Sequence, residues 1–168
     1  IKMLCENLAA SPDGYYFDEK EANRYTKFIE NLYFTEGKKA GTKVSLEDWQ
    51  SFIIASMFGW RNAQGLRRFT EVTIYVPKRN GKSALAAFIA VASAMLGKEA
   101  AGQIYLAATS REQSGIVFKA VKRTITGTPY LNNYFRVMQH SVIFNKTDTS
   151  IKALSSEASN AEGLGANL

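Results

Sequence analysis

Residues 75–88 read YVPKRNGKSALAAF: the end of an apolar stretch, a basic turn and the beginning of an apolar helix within fourteen residues. A loop that holds nucleotide phosphates needs backbone amides pointing inward, a lysine for the terminal phosphates, a hydroxyl for magnesium, and a helix whose positive end faces the anion. The run Asn80, Gly81, Lys82, Ser83 supplies these parts. Gly81 allows a close backbone approach, Lys82 would reach the β and γ phosphates, and Ser83 would ligate magnesium. The full GxxxxGK[ST] pattern is not met, because Val76 stands where the first glycine belongs. A Gly-Lys-Ser/Thr tripeptide arises by chance in roughly one chain in ten of this size, so its flanks decide. A buried strand over VTIYV (72–76) and an apolar helix over ALAAFIAVASAML (84–96) form the context that a phosphate loop requires.

Downstream the rhythm continues with a second apolar strand, QIYLAA, and a helix that Ser110 caps with Gln113 three residues on. Strand and helix in alternation predict a parallel sheet flanked by helices, and strands apolar throughout are those covered on both faces. After residues 127–129 the pattern shortens to three strands, RVMQ, SVIFN and SIKAL, with NKTD as the turn between the last two.

Upstream, FDEKEANRYTKFIENLYF places Asp18 as a helix cap with Glu21 three residues later. Apolar residues recur at Ala22, Tyr25, Ile29 and Leu32, the stripe of an amphipathic helix. TEGKKAGTK (35–43) has glycines and lysines without periodicity and predicts an exposed loop. A second helix is expected after a Ser45 cap, with Leu46, Trp49, Ile53 and Met57 on its core face and Gly59 as its stop.

The chain has 168 residues, enough for one domain that buries roughly 70% of the surface of its unfolded form. No apolar run approaches the ~20 residues that cross a bilayer, and no secretory signal opens the chain, so a soluble intracellular protein is expected. One cysteine, Cys5, excludes an internal disulfide, and no Cys/His cluster has metal-ligand spacing. The lone His140 has no nucleophile or acid partner pattern and reads as a turn residue. The net charge of +6 is uneven: residues 1–50 hold seven Lys/Arg against nine Asp/Glu, and the remainder fourteen against six. That basic excess fits a polyanionic partner such as a nucleotide or nucleic acid.

Four stretches, LEDWQSFIIASMFGW, VPKRNGKSALAAFIA, IYLAATSREQSGIVF and ALSSEASNAEGLGANL, resemble in this order successive motifs of the ATPase domain of phage large terminase subunits. The resemblance runs from about residue 15 to the end. It implies an α/β P-loop NTPase fold of the ASCE type, with a mainly parallel central sheet flanked by helices. Residues 1–60 would form a helical part with the adenine motif and residues 72–168 the phosphate-loop sheet core, within a single domain. Terminase loops also lack the first glycine, which turns Val76 into support. The family's adenine glutamine lands on Gln50, after Trp49, and a primary amide can both donate to and accept from the adenine edge. The family's γ-phosphate arginine falls on Lys78 or Arg79, and the planar guanidinium of Arg79 suits the contact better.

What the resemblance implies for function is ATP hydrolysis, with Mg2+, driving double-stranded DNA into a procapsid. Lys82 and Arg79 would serve catalysis, residues 78–83 and Gln50 would bind the nucleotide, and Ser83 the metal. AATSREQ, with Thr109 and Gln113, would couple nucleotide state to DNA. Arg111, Arg123 and Arg136 are candidates for an arginine that acts on a neighbouring subunit. The implied partners are DNA, the portal and procapsid, the small terminase subunit and further copies of the chain in a ring, in the host bacterial cytoplasm at the portal. The family's Walker B acids follow a segment like EGLGANL; the expectation is that the sequence stops just before that strand and that this stretch alone turns over negligibly. Asp148 and Glu157 sit in polar, turn-like surroundings and are poor substitutes. A helicase-like nucleic-acid ATPase and a non-catalytic nucleotide-binding scaffold are the alternatives.

Overall fold

The computed structural model describes residues 14–108 and 110–154. The described residues divide into two compact units: one takes residues 14–31 together with Val44–Val76, the other Leu32–Lys43 and the described residues from Pro77 onward.

In the first unit, α1 (Glu19–Glu30) starts where expected. The Asp18 carboxylate accepts the Glu21 backbone N–H at 2.9 Å, with Glu19 and Glu21 in the first turn and Lys27 in the last, complementing the helix dipole. Its buried residues are Ala22, Tyr25 and Ile29, three of the predicted stripe; the fourth, Leu32, is buried but lies past the Asn31 cap that ends the helix. The second helix, α2 (Asp48–Gly59), starts two residues later than a Ser45 cap implies, because Glu47 caps it. Its buried residues are Ile54, Ala55, Phe58 and Gly59, whereas Trp49, Ile53 and Met57 are only half-buried. The segment is apolar on nearly every side, so periodicity alone did not select a face. The packing did: the Phe58 ring stacks on Tyr25 of α1 with centroids 3.8 Å apart and planes 3° from parallel.

A two-stranded antiparallel ribbon, β1 (Tyr16–Phe17) with β2 (Trp60–Arg61), closes the helix pair. Gly59 makes this closure possible, since a Cβ there would lie 2.5 Å from the Phe17 ring and 2.9 Å from Ala22. Residues 72–76, expected as a buried strand, join no ladder among the described residues, and Tyr75 is fully exposed. An apolar pentapeptide is buried as a strand only where ladder partners and covering layers exist for it.

The second unit contains α3 (Lys82–Leu96), β3 (Gln103–Leu106), α4 (Arg111–Thr126), β4 (Phe135–Val137), β5 (Ser141–Phe144) and β6 (Thr149–Ala153). Sheet order is β3-β6-β5-β4. Only β3 and β6 run parallel; β6-β5 and β5-β4 are antiparallel. The sheet is therefore mixed and not mainly parallel. The cause is connection length: a parallel crossover needs a dozen or more residues, and residues 138–140 and 145–148 permit only hairpin turns. Between β3 and β6 the path is long enough, passing through α4 and the hairpin.

Helices α3 and α4 pack on each other, and both contact β6. The core joins Leu85, Phe88 and Val91 of α3 to Phe118, Val121 and Ile125 of α4 and to Ile104, Val142 and Ile151 of the sheet. Within segment Leu32–Lys43, residues 36–43 are exposed, in line with the loop expected over 35–43, with a single 3-10 turn at Gly37–Lys39 and a bridge between Tyr33 and Lys43, whereas Leu32 is buried. The end of α4 holds it in three ways. Tyr33 N–H donates to Thr128 Oγ1 at 3.3 Å, Glu36 pairs with Arg123, and Gly127 leaves room for Thr35, whose methyl would lie 2.7 Å from an added Cβ.

Candidate nucleotide-binding site

Lys78, Arg79, Asn80 and Gly81 form the exposed turn that enters α3, and Lys82 and Ser83 are its first two residues. Gly81 caps the helix from the left-handed region, with φ 69° and ψ 19°. Arg79 also has φ 70°, a conformation that costs a non-glycine residue about 1–2 kcal/mol. Strain of this kind collects where loop shape serves a ligand. Asn80 braces the turn by donating from Nδ2 to the Pro77 carbonyl at 3.4 Å.

Leu85 N–H makes the first helical bond of α3, to the Gly81 carbonyl at 2.9 Å. The amides before it have no acceptor within the helix. At α1, α2 and α4 a side chain takes up part of this demand: Asp18, Glu47 and Ser110 cap those helices, and each has an acid in its first turn. Helix α3 has neither a side-chain cap nor an acid there. A Cβ built on Gly81 would meet nothing within 4 Å. The result is a positive helix end with open space before it, flanked by Lys78, Arg79 and Lys82, which suits a phosphate chain.

Ser83 also lines a pocket of about 200 Å3 with Phe34, Phe88, Ile116, Lys119 and Arg123. The sequence reading did not find this pocket. Its signal was the helical spacing of Ile116, Lys119 and Arg123, which sets them on one face of α4.

Gln50 stands in the first unit, at the third position of α2, and is half-buried. Glu47 and Gln50 form a reciprocal capping box. The Glu47 carboxylate accepts the Gln50 backbone N–H, and Gln50 Oε1 accepts the Glu47 backbone N–H at 3.0 Å. Glu-x-x-Gln was legible in LEDWQ, but the earlier serine hid it.

Of the coupling residues, Thr109 lies outside the described residues. Ser110 caps α4 as predicted, its hydroxyl accepting the Gln113 N–H at 3.2 Å, and Gln113 is exposed in the first turn. Arg111 opens α4. Arg123 pairs with Glu36, and Arg136 with Asp148 at 3.1 Å; both pairs are exposed. Asp148 is thus engaged in a turn at the far strands of the sheet, and Glu157 lies outside the described residues. His140 occupies the turn between β4 and β5. Among the described residues, no group of three His, Cys, Asp or Glu could hold a metal ion, and no helix is long and apolar enough to cross a membrane.

Residues 48–168 match the family model described as the terminase large subunit, ATPase domain. The crystal structure of the HK97 bacteriophage large terminase aligns with a TM-score of 0.72 at 24% identity, over 86% of this chain and 29% of that one. The chain therefore spans under a third of the length of that protein, and at this identity the likeness is one of fold. No curated protein matches the sequence. With the family model covering well over half of it, the chain belongs to the terminase large subunit ATPase domain family.

Proposed function

We propose that this chain is the ATP-binding portion of a motor that couples ATP hydrolysis to the translocation of double-stranded DNA into a procapsid. The observation that carries the reading is the start of α3, which alone among the four α-helices of the described residues lacks a side-chain cap and instead presents Gly81, Lys82 and Ser83. The first-turn amides of α3 would hold the phosphate oxygens, and Lys82 would meet the β and γ phosphates. Arg79, whose left-handed backbone keeps it in the exposed turn, would offer its guanidinium fork to the γ phosphate, with Lys78 adding charge. Asn80 shapes the loop. The Ser83 hydroxyl fits a magnesium ion, which when bound would neutralise part of the phosphate charge. Gln50 is assigned to the adenine base.

Thr109 and Gln113 are assigned to the link between nucleotide state and DNA. Family membership supports DNA, the portal and procapsid, the small terminase subunit and further copies of the chain in a ring as partners, at the portal in the host cytoplasm. The test is titration of a fluorescent ATP analogue, with magnesium, into the protein and its Lys82→Ala variant. Saturable binding that weakens by on the order of a hundredfold in the variant is expected. Equal binding by both would remove the phosphate loop from the proposal.

A further inference from the structure

Residues 60–69 read WRNAQGLRRF, three arginines between two aromatic residues, and none of them serves the phosphate loop. In the first unit they form a hairpin that grows from β2. Asn62 folds its tip. The Asn62 N–H donates to the Leu66 carbonyl and the Asn62 carbonyl accepts the Gly65 N–H, both at 2.9 Å, while Oδ1 accepts the Gln64 and Leu66 N–H groups at 3.0 and 2.9 Å. Gly65 supplies the φ of 76° that the turn requires. Below the tip, the Arg68 N–H donates to the Trp60 carbonyl at 2.9 Å. The Arg61 side chain, only 17% exposed, reaches the Gly65 carbonyl at 3.4 Å and Glu21 of α1 at 3.5 Å.

This network uses only the backbone of Leu66 and leaves its side chain outside, 65% exposed. Phe69 and Tyr16 are exposed as well, and the Tyr16 hydroxyl lies 3.9 Å from where a Gly65 Cβ would stand. Cations gather behind the tip. The Arg68 guanidinium lies 4.3 Å from the centre of the Tyr15 ring and 5.4 Å from those of Trp60 and Phe69, which holds it in place. Arg24, Arg61 and Arg67 are all close enough to the Tyr25 phenol to act on it. A protein surface would have to desolvate such a cluster at a cost. Duplex DNA instead offers a phosphate for about every 1.7 Å of its axis, and its grooves admit an apolar side chain flanked by guanidinium groups.

We propose that the hairpin at 60–69 is a contact for double-stranded DNA built wholly within the first unit, a role that depends on the DNA-translocating reading above. Leu66 enters a groove, and Arg67 and Arg68 meet the phosphates beside it, where a guanidinium fork matches two phosphate oxygens. The hydrogen-bonded tip and the stacked Arg68 are ordered before DNA arrives, so little freedom is lost on binding.

The test is the fluorescence anisotropy of a labelled duplex of mixed sequence, titrated with the full-length protein over a series of salt concentrations. Leu66 lies outside the core, so Leu66→Asp should keep the melting temperature and the ATP-analogue affinity of wild type. Its duplex affinity should fall by about tenfold or more, whereas Leu66→Lys should stay within about threefold of wild type. Arg67→Gln should weaken binding and lower the salt slope by about one; should that variant not fold, Leu66→Asp decides alone. Wild-type duplex affinity in Leu66→Asp overturns the hairpin's role while the DNA reading stands. If that variant keeps the affinity and instead splits an oligomer in sedimentation, the hairpin joins copies of the chain and the proposal is overturned. A wild type that binds the ATP analogue but no duplex in about 50 mM salt removes DNA from the functional reading and the hairpin's role with it.

Discussion

At the start of α2, Glu47 and Gln50 satisfy one another's backbone amides across a single turn, whereas the start of α3 has a left-handed glycine, no side-chain acceptor and no acid. Both ends carry the same unmet donors and the same partial positive charge. The first is closed by its own capping box; the second has no side-chain cap. The difference is local, set by whether residues i and i+3 are Glu and Gln or Gly and Ala, and it is the reason the phosphates are proposed at the second.

The sharpest way to break the contrast is to close the open end. Gly81→Asp would put a capping carboxylate where the phosphates are assigned, and aspartate tolerates a φ of 69° better than most residues. Affinity for an ATP analogue should fall by on the order of a hundredfold or more through charge repulsion, while the melting temperature stays close to that of wild type. Wild-type affinity in this variant would mean that the phosphates bind elsewhere.

The converse experiment opens the closed end. Glu47→Ala removes the side-chain half of the capping box and should cost about 1 kcal/mol of stability, read as a lower urea midpoint. No change would show that the box orders Gln50 without stabilising the helix.

A smaller effect lies deeper in the same unit. Burial, and then the charge of Glu21, push the Tyr25 phenol above its usual value of 10.0. The fold thus favours the neutral phenol. Its contribution is complete below the unfolded value and is lost as pH rises through 10.0 and beyond. Tyr25→Phe keeps the stack on Phe58 and removes the ionisation, so its urea stability should decline less than that of wild type above that pH. Parallel decline in the two proteins would mean that Tyr25 does not contribute to alkaline loss.

Short-range chemistry explains what could be foreseen and what could not. Asp18 and Ser110 act on backbone groups three residues on, so their capping roles were visible in the order of residues alone. The three terminal strands and their turns were likewise legible, being short and clearly punctuated. Their antiparallel pairing was implicit in the short connections, but the strand–helix alternation upstream suggested a parallel sheet. The stretch at 72–76 has the composition of a buried strand and stands outside every ladder of the described residues, because apolar character carries no information about which neighbour will pair with it.

The same division applies to the candidate site. Gly81, Lys82 and Ser83 needed only their own spacing and the helix that follows, because the amides that make the site belong to the same few residues. The face that α2 buries, the pinning of Leu32–Lys43 to the end of α4 and the pocket beside Ser83 depended on residues far apart in the chain. Sequence by itself determined which helices begin with a capping side chain and which with a bare glycine, since capping and helix dipoles are local. Tertiary structure alone decided which apolar faces meet and how the strands pair, since burial and ladder bonds are settled by partners that local periodicity cannot name.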